Sequence, residues 1–319
     1  MKHIGRLALF LFLAVNAFFI GMLLLTAYSP YINPEVHPVQ SCLGLTFPIF
    51  LVINFCFLVF WLIVRYRLAL VPLLGFLLCY PQIRTYMPFN MGPSGQPENS
   101  IKLLSYNIMS FGNMKKENGQ NPILNYIKNS KADIVCMQEY AGSETAKIHL
   151  NNKEIRQALK DYPYRHIKQV GKTGAGSQIA CYSKFPILSA RMLDYQSNYN
   201  GSMVYDIKIG KDTVLLINNH LESNKLTRED KVVYEDMLKD PKAGKVKSGI
   251  RQLVNKLAEA SAIRSAQARA IAQEIARSPY PSVIVCGDFN DSPISYAHRV
   301  ISQDLDDAFT ESGRGLGIS

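Results

Sequence analysis

Residues 282–295 read SVIVCGDFNDSPIS. Ser282 to Cys286 is β-branched and apolar, the composition of a strand buried on both faces. Asp288, Asn290 and Asp291 follow without a break. Polar groups crowded at the exit of a buried strand sit where an open sheet or a sandwich places chemistry rather than packing. Asp288 and Asn290 are two positions apart and so can face the same way, and Pro293 stops the strand from continuing. An Asx-rich turn has the same letters, so the choice between site and turn rests on the rest of the chain.

Three other strand candidates end in the same manner. Ile101–Ile108 (IKLLSYNI) ends on Asn107. Ala132–Tyr140 (ADIVCMQEY) carries the apolar run Ile134 to Met137 straight into Gln138 and Glu139. A carboxylate there must be paired or must hold a cation, because burying it alone is costly. Thr213–Leu221 (TVLLINNHL) ends on Asn218, Asn219 and His220. One such histidine is more often structural than catalytic, but the repetition of polar strand ends favours a shared site. Ser177–Ile187 and Ser202–Ile209 read as two further strands.

Helices alternate with these strands. Pro122–Ser130 places Ile123, Leu124 and Ile127 at helical spacing behind a proline in the first turn. A second helix is expected near Asn151. Ile250–Ser278 carries Leu253, Leu257, Ala260, Ile263, Ala266, Ala270, Ile271 and Ile275 on one stripe and stops at Pro279, as an amphipathic helix lying on a sheet does. Arg251, Lys256, Arg264 and Arg269 read as its solvent-facing charges. Between Glu222 and Gly249 the chain is strongly charged and broken by Pro241, Gly244 and Gly249. It reads as an insertion with a short helix near Asp230–Lys239, placed to select substrate because it follows His220 directly.

The N-terminal part is of a different kind. Mean hydropathy near zero is high for a wholly soluble chain. Residues 1–89 read as a membrane anchor of two to three helices, about 7–28, 42–64 and 68–83. The first two are uncharged stretches of about 22 and 23 residues, enough to cross a hydrocarbon core of roughly 30 Å. The third has only about 13 apolar residues before Pro81 and reaches length only by running to Ile83, with Arg84 at the interface. Lys2 and Arg6 before the first span, and Arg65 with Arg67 after the second, face the cytoplasm by charge bias. Three spans then place the remainder outside the cytoplasm, and two would place it inside. Residues 90–100 (NMGPSGQPENS) read as a linker.

The chain has 35 Lys and Arg against 25 Asp and Glu, a net charge of +10. Residues after Ser100 hold +7 of it, which suits anionic partners such as nucleic acid, phospholipid headgroups or phosphate esters. The six cysteines form no CxxC pair and lie in apolar strands or beside the spans. That pattern excludes a disulfide framework and a thiolate zinc site. Hard oxygen ligands, amides and one imidazole suit Mg²⁺ or Mn²⁺ instead.

LSYNI at 104–108, MQEY at 137–140, NNHLES at 218–223 and GDFNDSP at 287–293 resemble, in this order, the motifs of the endonuclease/exonuclease/phosphatase superfamily. That superfamily includes DNase I-like nucleases, abasic-site endonucleases, inositol polyphosphate 5-phosphatases and neutral sphingomyelinases. The resemblance implies an α/β fold over 101–319, a four-layer α/β/β/α sandwich preceded by the transmembrane helices. It also implies roles. Glu139 would bind the divalent metal with Asn107 beside it. Asp288 would orient or deprotonate the attacking water, Asn290 would donate hydrogen bonds to the developing charge, and His220 would contact the scissile phosphate. Asn218 is the candidate substrate contact, although for it and for Glu222 turn polarity is the simpler reading. The family pattern closes with an Asp and then an Asp-His pair. No Asp-His pair occurs in the chain, and the sequence stops at GRGLGIS (313–319), as expected of a chain without the family's last strands. The function expected is a membrane-anchored, metal-dependent phosphoesterase acting on phosphodiesters of nucleic acid or phospholipid. Its partners are that substrate and the lipid bilayer, with no protein partner inferred. The rivals are a phosphomonoesterase of the inositol-phosphatase type and a non-catalytic tethered binding module.

Overall fold

A computed structural model of the chain describes residues 2–92, 95, 97, 100–112, 121–142, 150–171, 178–195, 197–227, 230, 232 and 243–317. The short helix expected near Asp230–Lys239 falls almost wholly outside these residues, as does nearly half of the charged insertion. The chain forms two compact units. One comprises Ser94–Ser223 with Ala266–Asn290, the other Met1–Pro93, Asn224–Ser265 and Asp291–Ser319.

The first unit holds two four-stranded sheets. β1 (Leu103–Asn107), β2 (Ile134–Tyr140), β3 (Tyr164–Gln169) and β4 (Gln178–Ser183) make one, in the order β1-β2-β4-β3. β5 (Ile187–Met192), β6 (Gly201–Ile209), β7 (Asp212–His220) and β8 (Ser282–Asp288) make the other, in sequence order. Among the described residues only the β1–β2 and β7–β8 pairs are parallel.

Side-chain alternation builds the layers. Ile134 and Cys136 of β2 face the second sheet and pack with Ile179, Cys181, Met203, Tyr205, Ile207 and Leu216. Val135 and Met137 face the other way, onto Ile123, Leu124, Ile127 and Ile155 of helices Pro122–Ser130 and Asn152–Ala158. A strand covered on both faces cannot alternate, which is why β2 reads as an unbroken apolar run. Both helices are capped by an asparagine: Asn121 Oδ1 accepts from the Leu124 N–H and Asn151 Oδ1 from the Lys153 N–H. On the second sheet, Ala268 and Ile271 of the helix Ala243–Ala276 are buried, and Glu274 of that helix pairs with Arg191 of β5. The layers are therefore helix, sheet, sheet, helix, the sandwich that the motifs imply.

Two expectations change, and one strand, β3, has no counterpart in the sequence reading. Ser177–Ile187 is not one strand: it divides at 184–186 into β4 and β5, which belong to different sheets. Pro186 removes a ladder donor there, and the Ser183 hydroxyl takes the Phe185 N–H instead. β3, YRHIKQ, has no apolar alternation because it is an exposed edge strand. Ser282–Cys286 is not buried on both faces, since β8 is also an edge and Ile284 stays 37% exposed.

The second unit contains two helices long and apolar enough to cross a membrane, Arg6–Ala27 and Pro38–Val64. The third candidate is broken: Tyr66–Leu78 and Tyr80–Tyr86 meet at a bend of 69°, at the Cys79–Pro81 step. The first two are joined by polar side chains. Trp61 Nε1 donates to Asn16 Oδ1 (3.0 Å), and Asn54 donates to the carbonyls of Phe19 (3.0 Å) and Phe50 (2.8 Å). Such bonds satisfy polar side chains that the surrounding apolar ones cannot.

The ends of these helices are packed against the C-terminal segment of the same unit. Ile294 lies in a cluster with Leu23, Ala27, Phe47 and Cys79. A Cβ on Gly44 would stand 2.3 Å from the Ile294 carbonyl oxygen, so only glycine lets the chains approach this closely. Arg299 donates to the Pro30 carbonyl (2.9 Å) and stacks over Tyr31.

Arg264 corrects the reading of the long helix. Its side chain is 3% exposed, and the guanidinium donates to Asp291 Oδ2 and to Asn224 Oδ1, both at 2.9 Å. Helical spacing shows which face of a helix is apolar but not that a charge on it has buried partners. Arg264→Met should cost about 3–5 kcal/mol, because it strands the Asp291 carboxylate. The double variant Arg264→Met/Asp291→Leu should recover much of that loss in a thermal melt.

Candidate active site

The parallel pairs bring the functional residues together. β1 and β2 run side by side with Asn107 opposite Gln138, and β7 and β8 with His220 opposite Asp288. The carboxyl ends of both pairs meet at one edge of the sandwich. Asn107 Nδ2 donates to Glu139 Oε1 (3.1 Å) and to Asp288 Oδ2 (2.8 Å), so one amide spans two carboxylates from two sheets. His220 Nε2 lies 3.6 Å from Glu139 Oε1. Asp288 Oδ1 accepts from the Asn290 N–H (2.9 Å), and Asn290 Nδ2 donates to the Leu221 carbonyl (2.9 Å). Asn107, Glu139, His220, Asp288 and Asn290, spread over more than half of the chain, thus share one site.

Backbone strain concentrates here. Glu139 (φ 51°) and Asn290 (φ 52°) are both left-handed, as are Met109, Ser110 and Phe111 just after Asn107. The β2–β4 register shifts between Met137 and Tyr140, a bulge that re-aims the Glu139 carboxylate. Non-glycine residues in this region cost about 1–3 kcal/mol each and persist where surrounding contacts over-determine them. Gly287 adopts φ 131°, and a Cβ there would stand 2.0 Å from the Asn219 carbonyl oxygen.

Two residues sit otherwise than the sequence suggested. Asn218, the candidate substrate contact, is fully buried: its Oδ1 accepts from Gln138 Nε2 (2.6 Å) and its Nδ2 donates to the Ala180 carbonyl. It braces the strand ends from within. Glu222 is not turn polarity either, since it is buried with Oε2 accepting from the Ser197 hydroxyl (2.7 Å). Gln138 is a support that the motif contained but polarity alone did not single out.

A cavity of about 480 Å³ opens beside the site. Glu139 and His220 line it together with Ser110, Tyr140, Gln178, Tyr199 and Asn200. Tyr199 and Asn200 lie in a loop with no periodicity and no motif, so no sequence signal marks them. Burial pushes the His220 imidazole below its ordinary pKa, against the opposing pull of Asp288, Glu139 and Glu222. The ring is therefore neutral at pH 7 and offers a single N–H.

Among the described residues, no three His, Cys, Asp or Glu side chains are grouped closely enough to hold a metal by themselves. Mg²⁺ does not need such a cage, because it keeps several waters and takes one or two carboxylates. Glu139 and Asp288, held on one amide beside an open cavity, fit that demand. Asn107 turns its nitrogen to both carboxylates, and its Oδ1 accepts from the Met109 N–H (3.1 Å). In this orientation it spaces the carboxylates rather than offering them an oxygen neighbour.

The family model described as Endonuclease/Exonuclease/phosphatase family matches residues 104–317, and the chain belongs to that family. A second model, a domain of unknown function (DUF8431), matches residues 9–86. No curated protein matches the chain. Among solved structures, truncated Caenorhabditis elegans TDP2 is 20% identical with a TM-score of 0.38, the match covering 60% of this chain and 63% of that one. Sphingomyelinase C from Streptomyces griseocarneus is 18% identical with a TM-score of 0.41, covering 66% and 70%. Staphylococcus aureus beta toxin is 17% identical with a TM-score of 0.43, covering 65% and 73%. The chain thus spans less than two thirds of the nematode structure.

Gly287→Ala should lower stability by about 3 kcal/mol through the forced φ and the contact with Asn219. A thermal melt of the full chain in detergent checks this, and an unchanged midpoint would show that the β7–β8 ends can part.

Proposed function

We propose that this chain is a membrane-anchored hydrolase of phosphodiester bonds that works with Mg²⁺ or Mn²⁺. The observation that carries this reading is the Asn107 amide shared by Glu139 and Asp288, with the His220 ring beside them. Glu139 would hold the ion, with Asp288 adjacent, and the ion would supply Lewis-acid polarisation of a phosphoryl oxygen. Asp288, its Oδ1 fixed by the Asn290 N–H, orients the attacking water and accepts its proton. His220 presents its N–H to the scissile phosphate without adding a fixed charge. The Asn290 side chain, anchored on the Leu221 carbonyl, gives hydrogen bonds to the charge that develops there.

The full chain in detergent with Mg²⁺ or Mn²⁺ should turn over bis-p-nitrophenyl phosphate. Glu139→Gln, Asp288→Asn and His220→Ala should each lower kcat/KM by about 10²–10⁴-fold while leaving the circular dichroism spectrum intact. Release of phosphate from inositol phosphates with no diester turnover would favour the phosphomonoesterase. Absence of metal-dependent turnover on every ester would leave a tethered binding module.

The packing of the anchor unit supports three spans. Ile294 and Arg299 lie against the end of the helices at 23–47, and the connection 28–46 there has no Lys or Arg. The basic residues Arg65 and Arg67 follow the other end of the second span, the cytoplasmic end by charge bias. This reading puts residues 101–319 outside the cytoplasm. An alkaline phosphatase fusion after Ser319 should be active and a green fluorescent protein fusion dark, and the reverse would place this region inside.

A further inference from the structure

The N-terminal half of the helix Ala243–Ala276 carries a face that hydrolysis does not use. Its residues Ala258, Ser261 and Ser265 are buried, and the Ser261 hydroxyl meets the Ser41 hydroxyl at 3.3 Å. Ser41 lies near the start of the candidate span Pro38–Val64, so the helix touches that span where its apolar stretch begins. Counting back from Ser261 in helical steps of three and four gives Leu257, Val254, Ile250 and Val246, an apolar stripe on the same face. Ile250 is 50% exposed, and the other three are half-buried. The opposite side of the helix is occupied within the unit, where Asp230 accepts from Gln252 Nε2 (3.0 Å) and from Lys256 Nζ (2.6 Å). Lys247 and Arg251, both exposed, stand four apart along the edge of the stripe. Residues 241–258 hold Lys242, Lys245, Lys247, Arg251 and Lys256 and no Asp or Glu. An apolar stripe bordered by basic residues is the form of a helix that lies in the headgroup layer, its apolar face at the acyl boundary and its cations on anionic headgroups.

We propose that residues 243–261 form an interfacial helix: the stripe Val246, Ile250, Val254 and Leu257 docks on the surface of the bilayer, with Lys247 and Arg251 on anionic phospholipid headgroups. The inference rests on the reading of the N-terminal helices as a membrane anchor. It holds for two spans or three, because the Ser41 contact fixes which end of the span the helix meets and not which side of the membrane that end faces. Two features favour lipid over a second protein. At the end of the span where Ser41 lies, the connection exposes Val36 and Val39 as well, so two segments remote in sequence present apolar side chains there. The charge of residues 241–258 is of one sign, which suits a continuous anionic surface. A helix held beside a span also needs little affinity of its own, since the tether keeps the effective concentration of the bilayer high.

The test uses the full chain in nanodiscs of phosphatidylcholine alone or mixed with phosphatidylglycerol. Ile250→Trp places a reporter on the stripe, and the unsubstituted chain supplies the background of Trp61, its one tryptophan. The difference emission should shift to the blue in nanodiscs that contain phosphatidylglycerol and be lost when the acyl chains are brominated near the headgroup. Water-like emission that bromine leaves unchanged overturns the proposal. So does blue emission without quenching, which means that protein covers the stripe. Hydrogen–deuterium exchange of the unsubstituted chain gives a second reading that needs no new side chain. Residues 246–258 should exchange more slowly with phosphatidylglycerol than without it. Lys247→Gln/Arg251→Gln should shrink that slowing by about tenfold or more, at roughly fivefold for each cation near an anionic surface. Equal exchange of the unsubstituted chain in the two lipids overturns the proposal. Release of that chain from membranes by alkaline carbonate would end the anchor reading and this inference with it, whereas a failure to hydrolyse any ester would leave both standing.

Discussion

Two carboxylates are kept side by side at the edge of the sandwich because one amide stands between them. Asn107 donates to Glu139 and to Asp288, and in doing so it ties the end of the first sheet to the end of the second. Like charges at this distance repel, and the donor between them is what makes their approach tolerable. The left-handed residues, the β2 bulge and the close pass of Gly287 over Asn219 all follow from bringing these groups to one point. A second tier lies beneath. Gln138 and Asn218 are buried partners whose hydrogen bond again crosses from one sheet to the other. The site is therefore built from two stacked inter-sheet bridges, the outer one charged and the inner one neutral.

Much of this was legible from letters alone, and the reason is physical. Strands covered on both faces must be apolar throughout, so β2 and β7 announce themselves, and the polar residues that end them mark where burial stops. Asn107, Glu139, His220, Asp288 and Asn290 were found in this way and meet as the motifs require. Illegible were the features that depend on what lies across a gap. The division at 184–186 leaves one apolar stretch serving two sheets. β3 borders solvent and has no period to read. Asn218 looked like part of a polar turn, yet a strand from the other sheet closes over it. Arg264 lies on a helix whose buried face, Ala258, Ser261, Arg264, Ser265, Ala268 and Ile271, differs from the stripe read from the spacing, of which Ala266 is exposed, and its partners come from loops remote in sequence.

The N-terminal helices follow the same logic. Asn16, Asn54 and Trp61 are polar side chains inside hydrophobic helices, and their hydrogen bonds fix how the two helices meet. The third apolar stretch bends at Cys79–Pro81 instead of running straight. Sequence length flagged that stretch as the doubtful one, and the proline that made it doubtful stands at the bend.

Ile294 comes four residues after Asn290, and it is enclosed by Leu23, Ala27, Phe47 and Cys79. Enclosing such a side chain contributes about 1.5–3 kcal/mol. The segment after the GDFND stretch is thus enclosed by residues of the apolar N-terminal helices. A protein trimmed of residues 1–93 would carry that isoleucine bare and lose the walls that hold it. The hydrophobic helices therefore act as a scaffold for the segment that follows Asp291, and replacing them with an unrelated leash would not reproduce the molecule.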